Sequence, residues 1–323
     1  MIAPRTFMRL ITCAMSLVAL TAPSFAQSFS GRPVRVIVGF ATGGINDGIA
    51  RILAAKLPDR IGTQVVVENR PGASGVIAAE HLATASPDSQ TLMVVSIAHT
   101  ANPSLYKLRF DTEAFTPIAQ IGGGSSLITA NVNSPFKTLA DLIEHARKKP
   151  GEVKMAISGY GTFGHLAGVQ LFNRAGIDVL VVPYKGGGPL IVDLLGGRID
   201  MIIVSLVSVS GHVSAGRMRV LAVTGTQREP TLPDVPTVAE SGMPAYEAMN
   251  WWGVVGPPKM PKPIVDGLIA AISAVQDDKS LQDLLEKEGA RVIKRTGADF
   301  GKHIASEIER WAEVIKKGNI KTE

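Results

Sequence analysis

Three glycine-rich loops hold the residues of this sequence that are best suited to bind a ligand. They cover residues 40–47, 158–165 and 184–188, and each lies between a short apolar segment and a segment with helical spacing. Glycine allows backbone N–H groups to approach a ligand closely, and the N-terminus of the following helix favours negative charge. The pattern predicts binding of a small carboxylate, although any one loop alone is also typical of an ordinary strand-to-helix turn.

The second loop also allows an enzymatic hypothesis. Residues 159–164 read Gly-Tyr-Gly-Thr-Phe-Gly and match the G-x-G-x-x-G pattern of dinucleotide-binding folds, with Asp178 at about the expected distance. In those folds the acidic residue lies at the carboxyl end of the second strand, whereas Asp178 precedes the apolar segment 179–182. A secreted enzyme that uses this loop is therefore the less favoured hypothesis.

Other catalytic and metal-binding signatures are absent from the sequence, which contains no G-x-S-x-G, G-x-x-x-x-G-K-[ST] or H-E-x-x-H pattern. Asp47, His99 and His165 are candidate acid or base groups, but no nucleophile or paired carboxylate accompanies them. The six histidines are scattered, and the single cysteine is Cys13. The sequence therefore predicts no catalytic residue, no metal and no cofactor.

The N-terminus has the pattern of a secretory signal peptide. Arg5 and Arg9 are basic, residues 10–22 are apolar, and residues 24–26 form a small-x-small cleavage site. We expect cleavage after residue 26 and export from the cytoplasm; a lipoprotein modified at Cys13 is disfavoured because most of the apolar run follows that cysteine. Without this segment the net charge falls from +5 to +3, which is too small to predict a nucleic-acid partner.

Apolar strand-like segments alternate with helix-like segments along the rest of the chain. Residues 34–38 are apolar and β-branched, and residues 46–57 carry apolar side chains at helical spacing. The same order repeats in the second half of the sequence. This alternation predicts an α/β protein in which helices flank mainly parallel sheets.

Two segments are interpreted as crossings between domains: 118–130, which contains three consecutive glycines, and 246–255. A chain of 323 residues favours two domains. If it enters the second domain through one segment and returns through the other, the first domain is discontinuous and the hinge has two strands. The predicted bounds are 1–26 for the signal peptide, 27–124 and 249–323 for the first domain, and 125–248 for the second.

Six motifs follow one another along nearly the whole chain after the predicted signal peptide. They are 31–38 (GRPVRVIV), Gly43-Gly44 with Asp47, 66–73 (VVENRPGA), 102–106 (NPSLY), 182–186 (VPYKG) and 232–237 (LPDVPT). With these motifs the sequence resembles the Bug receptors, the substrate-binding proteins of tripartite tricarboxylate transporters. The resemblance implies a two-domain periplasmic binding protein of type II-like fold that closes on its ligand like a Venus flytrap.

The resemblance further implies a monomer that captures a small di- or tricarboxylate and delivers it to a membrane permease. The first loop is expected to hold one carboxylate, and the second loop the other end of the ligand. A sensor of the same fold that signals through a partner protein is the main alternative. The expected ligand-binding residues are Phe40, Ala41, Thr42, Gly43, Gly44, Asn46, Asp47, Ser96, His99, Ser158, Gly159, Tyr160, Gly161, Thr162, His165, Lys185, Gly186, Ser205 and Trp251.

Some positions depart from the family pattern. Many relatives carry Pro and Ala where this chain has Ala41 and Thr42, and they often have an Asp-Asn pair near residues 205–206. The absence of that acid disfavours an amino-acid ligand. Aromatic walls are expected from Tyr160, Phe163 and either Trp251 or Trp252, unless one tryptophan only packs against the hinge. These features favour an aromatic or aliphatic dicarboxylate.

Overall fold

The computed structural model describes residues 31–88, 90–184 and 187–320, and within them the strands form two sheets. The predicted signal peptide at 1–26 lies outside the described residues. The strands are β1 (Val34–Val38), β2 (Val65–Asn69), β3 (Thr91–Ser96), β4 (Phe115–Gly124), β5 (Leu127–Asn131), β6 (Lys154–Ile157), β7 (Leu180–Pro183), β8 (Met201–Val204), β9 (Met218–Val223), β10 (Asn250–Pro258) and β11 (Ala290–Thr296). They confirm the predicted two-sheet α/β class.

Helices cover the faces of both sheets. They are α1 (Ile45–Lys56), α2 (Pro58–Ile61), α3 (Val76–Ala83), α4 (Ile97–Leu105), α5 (Leu139–Lys148), α6 (Phe163–Ala175), α7 (Gly187–Leu195), α8 (Leu206–Ser214), α9 (Lys262–Gln276), α10 (Lys279–Lys287) and α11 (Gly297–Lys317). None of the helices in the described ranges has both the length and the apolar character that crossing a membrane requires.

Six strands form one sheet in the order β11-β4-β10-β3-β1-β2, and five form the other in the order β7-β6-β8-β5-β9. We call the first sheet with its helices the first lobe (31–88, 90–124 and 250–320) and the second sheet with its helices the second lobe (127–184 and 187–248). All six residues of β3 are buried, because helices cover both faces of that central strand.

Both sheets are mixed rather than mainly parallel. Strand β1 is parallel to β2 and β3, and β6 is parallel to β7 and β8, as the alternation of strands and helices predicts. In contrast, β10 and β5 are antiparallel to both of their neighbours. Each of these two strands arrives from the other lobe without a helical crossover, so the constraint that keeps βαβ strands parallel does not apply.

The two lobes are joined by two adjacent crossings. Ser125 and Ser126 connect β4 to β5, and Met249 precedes β10. The crossings are tied together at Thr224, whose hydroxyl accepts from the Ser126 N–H at 2.9 Å and whose carbonyl accepts from the Ala248 N–H at 2.9 Å. The chain therefore passes between the sheets where the sequence predicts, while the domain bounds themselves stay a prediction.

The last helix provides a further contact between the lobes. Helix α11 follows β11 of the first lobe and packs against α6 of the second, where the Asn173 side chain donates to the Val314 carbonyl at 3.1 Å. Trp311 on this helix is fully buried and belongs to the core.

Candidate functional site

A cavity of about 260 Å³ lies between the two lobes beside the crossings. The first lobe contributes Ile45, Asn250, Trp252 and Glu288, and the crossing contributes Ser125 and Ser126. The second lobe contributes Ala156, Ile157, Ser158, Thr162, Phe163, Gly164, Gly187, Leu190, Ile203, Val204, Ser205 and Ser208. The lining thus combines small hydroxyl groups with apolar walls.

Four helices begin at this cavity. Residues at or next to the N-termini of α1, α6, α7 and α8 line it: Ile45, Phe163, Gly187 and Ser205. The first N–H groups of a helix have no intrahelical acceptor and carry partial positive charge. No lysine, arginine or histidine is present among the described lining residues. An anion in this cavity would therefore be held by backbone N–H groups and hydroxyls.

The second loop is held in shape by hydrogen bonds within the segment 158–165. The Thr162 hydroxyl donates to the Gly159 carbonyl at 2.7 Å, and the Gly161 N–H donates to Nδ1 of His165 at 3.1 Å. Gly159 and Gly161 have φ values of 146° and 72°, which side-chain-bearing residues rarely adopt. These bonds direct the N-terminus of α6 toward the cavity, so that Thr162 and Phe163 line it together.

Gly164 is required at its position by close packing. A Cβ atom at this residue would lie 2.5 Å from the carbonyl oxygen of Ile203 in β8. The first turn of α6 therefore approaches the neighbouring strand more closely than any other residue type allows.

His165 anchors this loop from inside the protein. It is 2% exposed, and because its Nδ1 accepts from the Gly161 N–H, the ring proton lies on Nε2. Burial lowers its pKa to about 4, so the imidazole is neutral at pH 7. It therefore supplies no positive charge to the site. It also occupies the N–H of Gly161, a residue that was expected to contact the ligand.

Asp47 has a corresponding role in the first loop. Its carboxylate accepts from the Gly43 N–H at 3.0 Å, from Nε of Arg51 at 2.8 Å and from the Asn69 side chain at 3.0 Å. The side chain is buried, and the Arg51 hydrogen bond is the largest cause that lowers its pKa. Asp47 is therefore ionised and fully engaged, which makes it a residue that shapes the loop rather than one that faces a ligand.

The remaining residues of the first loop divide into exposed and buried groups. Ala41, Thr42, Gly43 and Gly44 are exposed and lie outside the cavity lining. Phe40 is half-buried and its carbonyl accepts from the Asn69 side chain at 3.1 Å, whereas Asn46 is buried and its Nδ2 has no partner among the described residues. The loop reaches the cavity through Ile45.

Ser96 and His99 are buried and do not line the cavity. Ser96 ends β3 and lies opposite Trp252 in the pairing of β3 with β10. His99 packs against Phe115 with ring centroids 5.5 Å apart, and burial lowers its pKa to about 4. Ser96 thus lies one strand away from a lining residue, while His99 belongs to the core.

The tryptophan that lines the cavity is Trp252, not Trp251. Trp251 points to the opposite face of β10, where its indole N–H donates to Glu307 at 3.2 Å and its ring packs against Phe300. Successive side chains of a strand alternate between the two faces of a sheet, so Asn250 and Trp252 share the cavity side. The aromatic wall consists of Trp252 and Phe163.

Tyr160 connects the second loop to the first lobe. Its carbonyl accepts a hydrogen bond from the Ser74 hydroxyl at 2.8 Å, and its ring packs edge-on against His165 rather than lining the cavity. Ser74 itself has a φ of 52°, an uncommon backbone conformation for a residue with a side chain. A strained residue of one lobe therefore contacts a cavity-forming loop of the other.

Lys185 and Gly186 of the third loop lie outside the described residues. Of the other predicted site residues, Ser158, Thr162 and Ser205 line the cavity together. Ser208, Asn250 and Glu288 also line the cavity and were not among the residues predicted from the sequence. Ser208 lies one helical turn after Ser205, and Asn250 lies two residues before Trp252. Helical and strand periodicity could therefore have placed both beside a predicted site residue, whereas no sequence pattern indicates Glu288.

Comparison with known proteins adds a family assignment. Residues 49–320 match the family model described as the tripartite tricarboxylate transporter family receptor. Protein BugT of Bordetella pertussis strain Tohama I is 34% identical over 310 residues, which cover 94% of this chain and 94% of BugT.

Solved structures agree over most of the chain. The periplasmic binding protein BugD has a TM-score of 0.78 and 32% identity, covering 91% of this chain and 100% of BugD. Rpa4515 of R. palustris, solved with adipate, has a TM-score of 0.78 and 33% identity, covering 90% of this chain and 99% of Rpa4515. The two-lobed architecture is therefore that of the periplasmic binding proteins.

Proposed function

Because the chain belongs to the tripartite tricarboxylate transporter receptor family, we propose that it is a periplasmic receptor that captures a small carboxylate between its lobes. The observation that carries this proposal is the convergence of four helix N-termini on one cavity whose described lining contains no cationic side chain. Adipate, bound by the similar protein Rpa4515, is a dicarboxylate and supports this ligand class. A di- or tricarboxylate, aliphatic or aromatic, is the ligand to test first.

The hydrogen bonds that this cavity can offer are sufficient for micromolar affinity. Micromolar binding requires about −8 kcal/mol, and each charge-assisted hydrogen bond contributes roughly 1.5–3 kcal/mol before the costs of association. Four or five such bonds from first-turn N–H groups and from hydroxyls such as those of Ser158 and Ser205, with contact to Trp252 and Phe163, would reach this value.

We expect that cleavage after Ala26 produces the mature protein and that this protein delivers its ligand to the membrane permease of the transporter. The alternative sensor function uses the same cavity and differs only in the partner. Co-purification with the permease subunits supports transport, whereas capture of a signalling protein instead would favour the sensor.

The enzymatic hypothesis receives less support from the second loop. In a dinucleotide-binding loop, backbone N–H groups must be open to the pyrophosphate. Here the Gly161 N–H is already bound to His165, and Asp178 precedes β7 rather than following it. The receptor function therefore fits the loop better than a cofactor-dependent enzyme.

A thermal-shift titration tests the proposed function. The purified protein is titrated with mono-, di- and tricarboxylates, because a ligand that binds only the folded state raises the melting temperature by mass action. We expect a marked rise with one or two acids. Absence of any rise across the panel, or conversion of one of the acids to a product, would contradict the receptor function.

Thr162→Ala locates the binding site in the same titration. It removes a lining hydroxyl and its hydrogen bond to Gly159, so we expect about tenfold weaker binding with a loss of stability near 1 kcal/mol. Thr296→Ala is the matched control, because Thr296 also precedes a helix without a side-chain capping bond but lies outside the cavity lining. Equal affinities for the two variants would remove Thr162 from the site.

A further inference from the structure

Glu288 is the one charged side chain among the described residues that line the cavity. It is half-buried, and its carboxylate has no hydrogen bond or ion pair with any other described residue. The remaining polar lining consists of hydroxyls, one carboxamide and helix N-termini. A lone acid without a partner in a cavity otherwise suited to anions requires a chemical explanation.

The backbone around Glu288 is firmly placed. Its N–H donates to the Leu285 carbonyl at 2.9 Å, and Leu285 is fully buried in the core of the first lobe. Gly289 follows with a φ of 70°, and its N–H donates to the Glu286 carbonyl at 3.0 Å. The end of α10 therefore fixes the position from which the Glu288 side chain extends.

The next residue brings this turn against the second lobe. A Cβ atom at Gly289 would lie 3.4 Å from Cβ of Leu206, the first residue of α8, and 3.1 Å from Oε1 of Glu229. Glu288 thus lies at the end of the cavity that is formed by the N-terminus of α8 and by Ser205. A carboxylate there repels a second anion and accepts hydrogen bonds from a donor.

We propose that Glu288 determines the specificity of the cavity by selecting acids that carry an ammonium group, or more weakly a hydroxyl group, in addition to their carboxylates. The inference rests on the proposed function, because the carboxylates of the ligand are taken to bind the helix N-termini. An amino acid is therefore again a candidate ligand. Many relatives have an acidic residue near positions 205–206 that this chain lacks, and Glu288 of the first lobe would provide a carboxylate in its place. Tricarboxylates without a donor are disfavoured.

Calorimetric titration with matched acids tests this inference. Succinate, malate and aspartate share one carbon skeleton and differ in a hydrogen, a hydroxyl and an ammonium group; adipate and 2-aminoadipate form a longer pair. In the unmodified protein at pH 7, we expect the aminated member of at least one series to bind at least tenfold more tightly than the unsubstituted member, with malate between succinate and aspartate.

Glu288→Gln keeps the size of the side chain and removes its charge. We expect it to weaken binding of the aminated acid at least tenfold while the unsubstituted acid binds as well as before or better. Glu286→Gln is the control, because Glu286 is exposed on the same helix end and outside the cavity lining, and it should leave every affinity within twofold. Melting temperatures without ligand should be nearly equal, since Glu288 has no partner to lose.

The outcomes separate the two proposals. If unsubstituted acids bind the unmodified protein as tightly as aminated ones and Glu288→Gln changes neither, the specificity inference is wrong while the receptor function stands. If Glu288→Gln and Glu286→Gln shift the affinities equally, Glu288 has no special role. If no acid of either series binds to the unmodified protein or to the variants, the specificity inference is overturned, and the thermal-shift titration with the wider panel of carboxylates decides whether the receptor function stands.

Discussion

The loop before α1 is held by an ionised carboxylate, whereas the loop before α6 is held by a neutral imidazole. Asp47 binds the Gly43 N–H and two side chains of its own lobe, Arg51 and Asn69. His165 binds the Gly161 N–H within the second loop, and this loop also contacts the other lobe through Ser74. The first loop is therefore self-contained, while the shape of the second depends in part on how the lobes meet.

Neither anchor presents a net charge to an anionic ligand. The Asp47 charge is balanced by Arg51 at 2.8 Å, and the neutral His165 adds no charge to its loop. The positive potential of the cavity is thus left to the helix N-termini. Because these dipoles are fixed by the backbone, variants that change the anchors should act through loop shape rather than through charge.

Replacing Asp47 should give the largest loss of stability. Asp47→Ala removes the acceptor of the Gly43 N–H and of the Arg51 guanidinium and one of the two acceptors of the Asn69 amide, which costs about 3 kcal/mol in the free energy of unfolding. Urea denaturation measures this loss. Asp141→Ala is the control: its carboxylate accepts from backbone N–H groups at the start of α5 at an exposed site, so its loss should be clearly smaller. Equal losses would show that Asp47 is no more than a surface cap.

As the pH is lowered, the stability contributed by His165 in the second loop should be lost before the stability contributed by Asp47 in the first loop. The pKa of His165 is about 4 when folded against 6.5 ordinarily, so the unfolded chain takes up the proton more readily. The stability that this histidine contributes is complete above pH 6.5 and is lost as the pH falls toward 4, by on the order of 2–3 kcal/mol.

Asp47 responds in a lower pH range. Its pKa is lowered in the folded state, so its contribution is present above about pH 3.8 and is lost as the pH falls through its folded pKa. When the free energy of unfolding is measured from pH 7 to 3.5, its first decrease should therefore come from the buried histidines, and the contribution of Asp47 should be lost only at lower pH. A curve that is as steep between pH 6.5 and 4 in His165→Leu as in the unmodified protein would contradict this assignment.

His165→Leu at pH 7 should have an intermediate effect. It leaves the buried Gly161 N–H without an acceptor, which costs about 2 kcal/mol and displaces the second loop, so ligand binding should weaken as well. His99→Leu is the comparison, because Nε2 of His99 is buried without a partner among the described residues; it should cost less than about 1 kcal/mol. A larger loss from His99→Leu would reverse the roles assigned to these histidines.

Ser74→Ala should have the smallest effect on stability and act mainly on binding. It removes the hydrogen bond to the Tyr160 carbonyl between the lobes, so we expect about 1 kcal/mol, or roughly fivefold, in ligand affinity. Ser241→Ala removes an equivalent bond, from a serine hydroxyl to the Thr237 carbonyl at 2.8 Å, within the second lobe. Calorimetric titration should show weaker binding for Ser74→Ala alone, and equal affinities would show that the contact between the lobes does not support the loop.

The sequence predicts the backbone of the site better than it predicts its side chains. The glycine patterns before α1 and α6 indicate where helices begin, because a left-handed φ or a close backbone approach restricts the residue type. The role of Asp47 and His165 was not predictable in the same way: an acid and a histidine in glycine-rich loops are equally consistent with ligand contact and with anchoring. Only their hydrogen bonds to Gly43 and Gly161 distinguish the two.

Two other features depended on long-range structure. Whether Trp251 or Trp252 lines the cavity depends on which face of the sheet each residue of β10 occupies. A shift of one residue along the strand moves every side chain to the other face. Glu288 follows a helix that is distant in sequence from both loops, so no local pattern relates it to them. Its place in the cavity results from the return of the chain to the first lobe through β10.

A crystal structure of the protein grown with the acid that raises its melting temperature most is the most direct test of the account. We predict a carboxylate of that acid in the cavity between the lobes, with its oxygens within hydrogen-bond distance of the backbone N–H groups of Phe163 and Gly164. Density for the acid outside this cavity, or a carboxylate that contacts none of the helix N-termini, would contradict it.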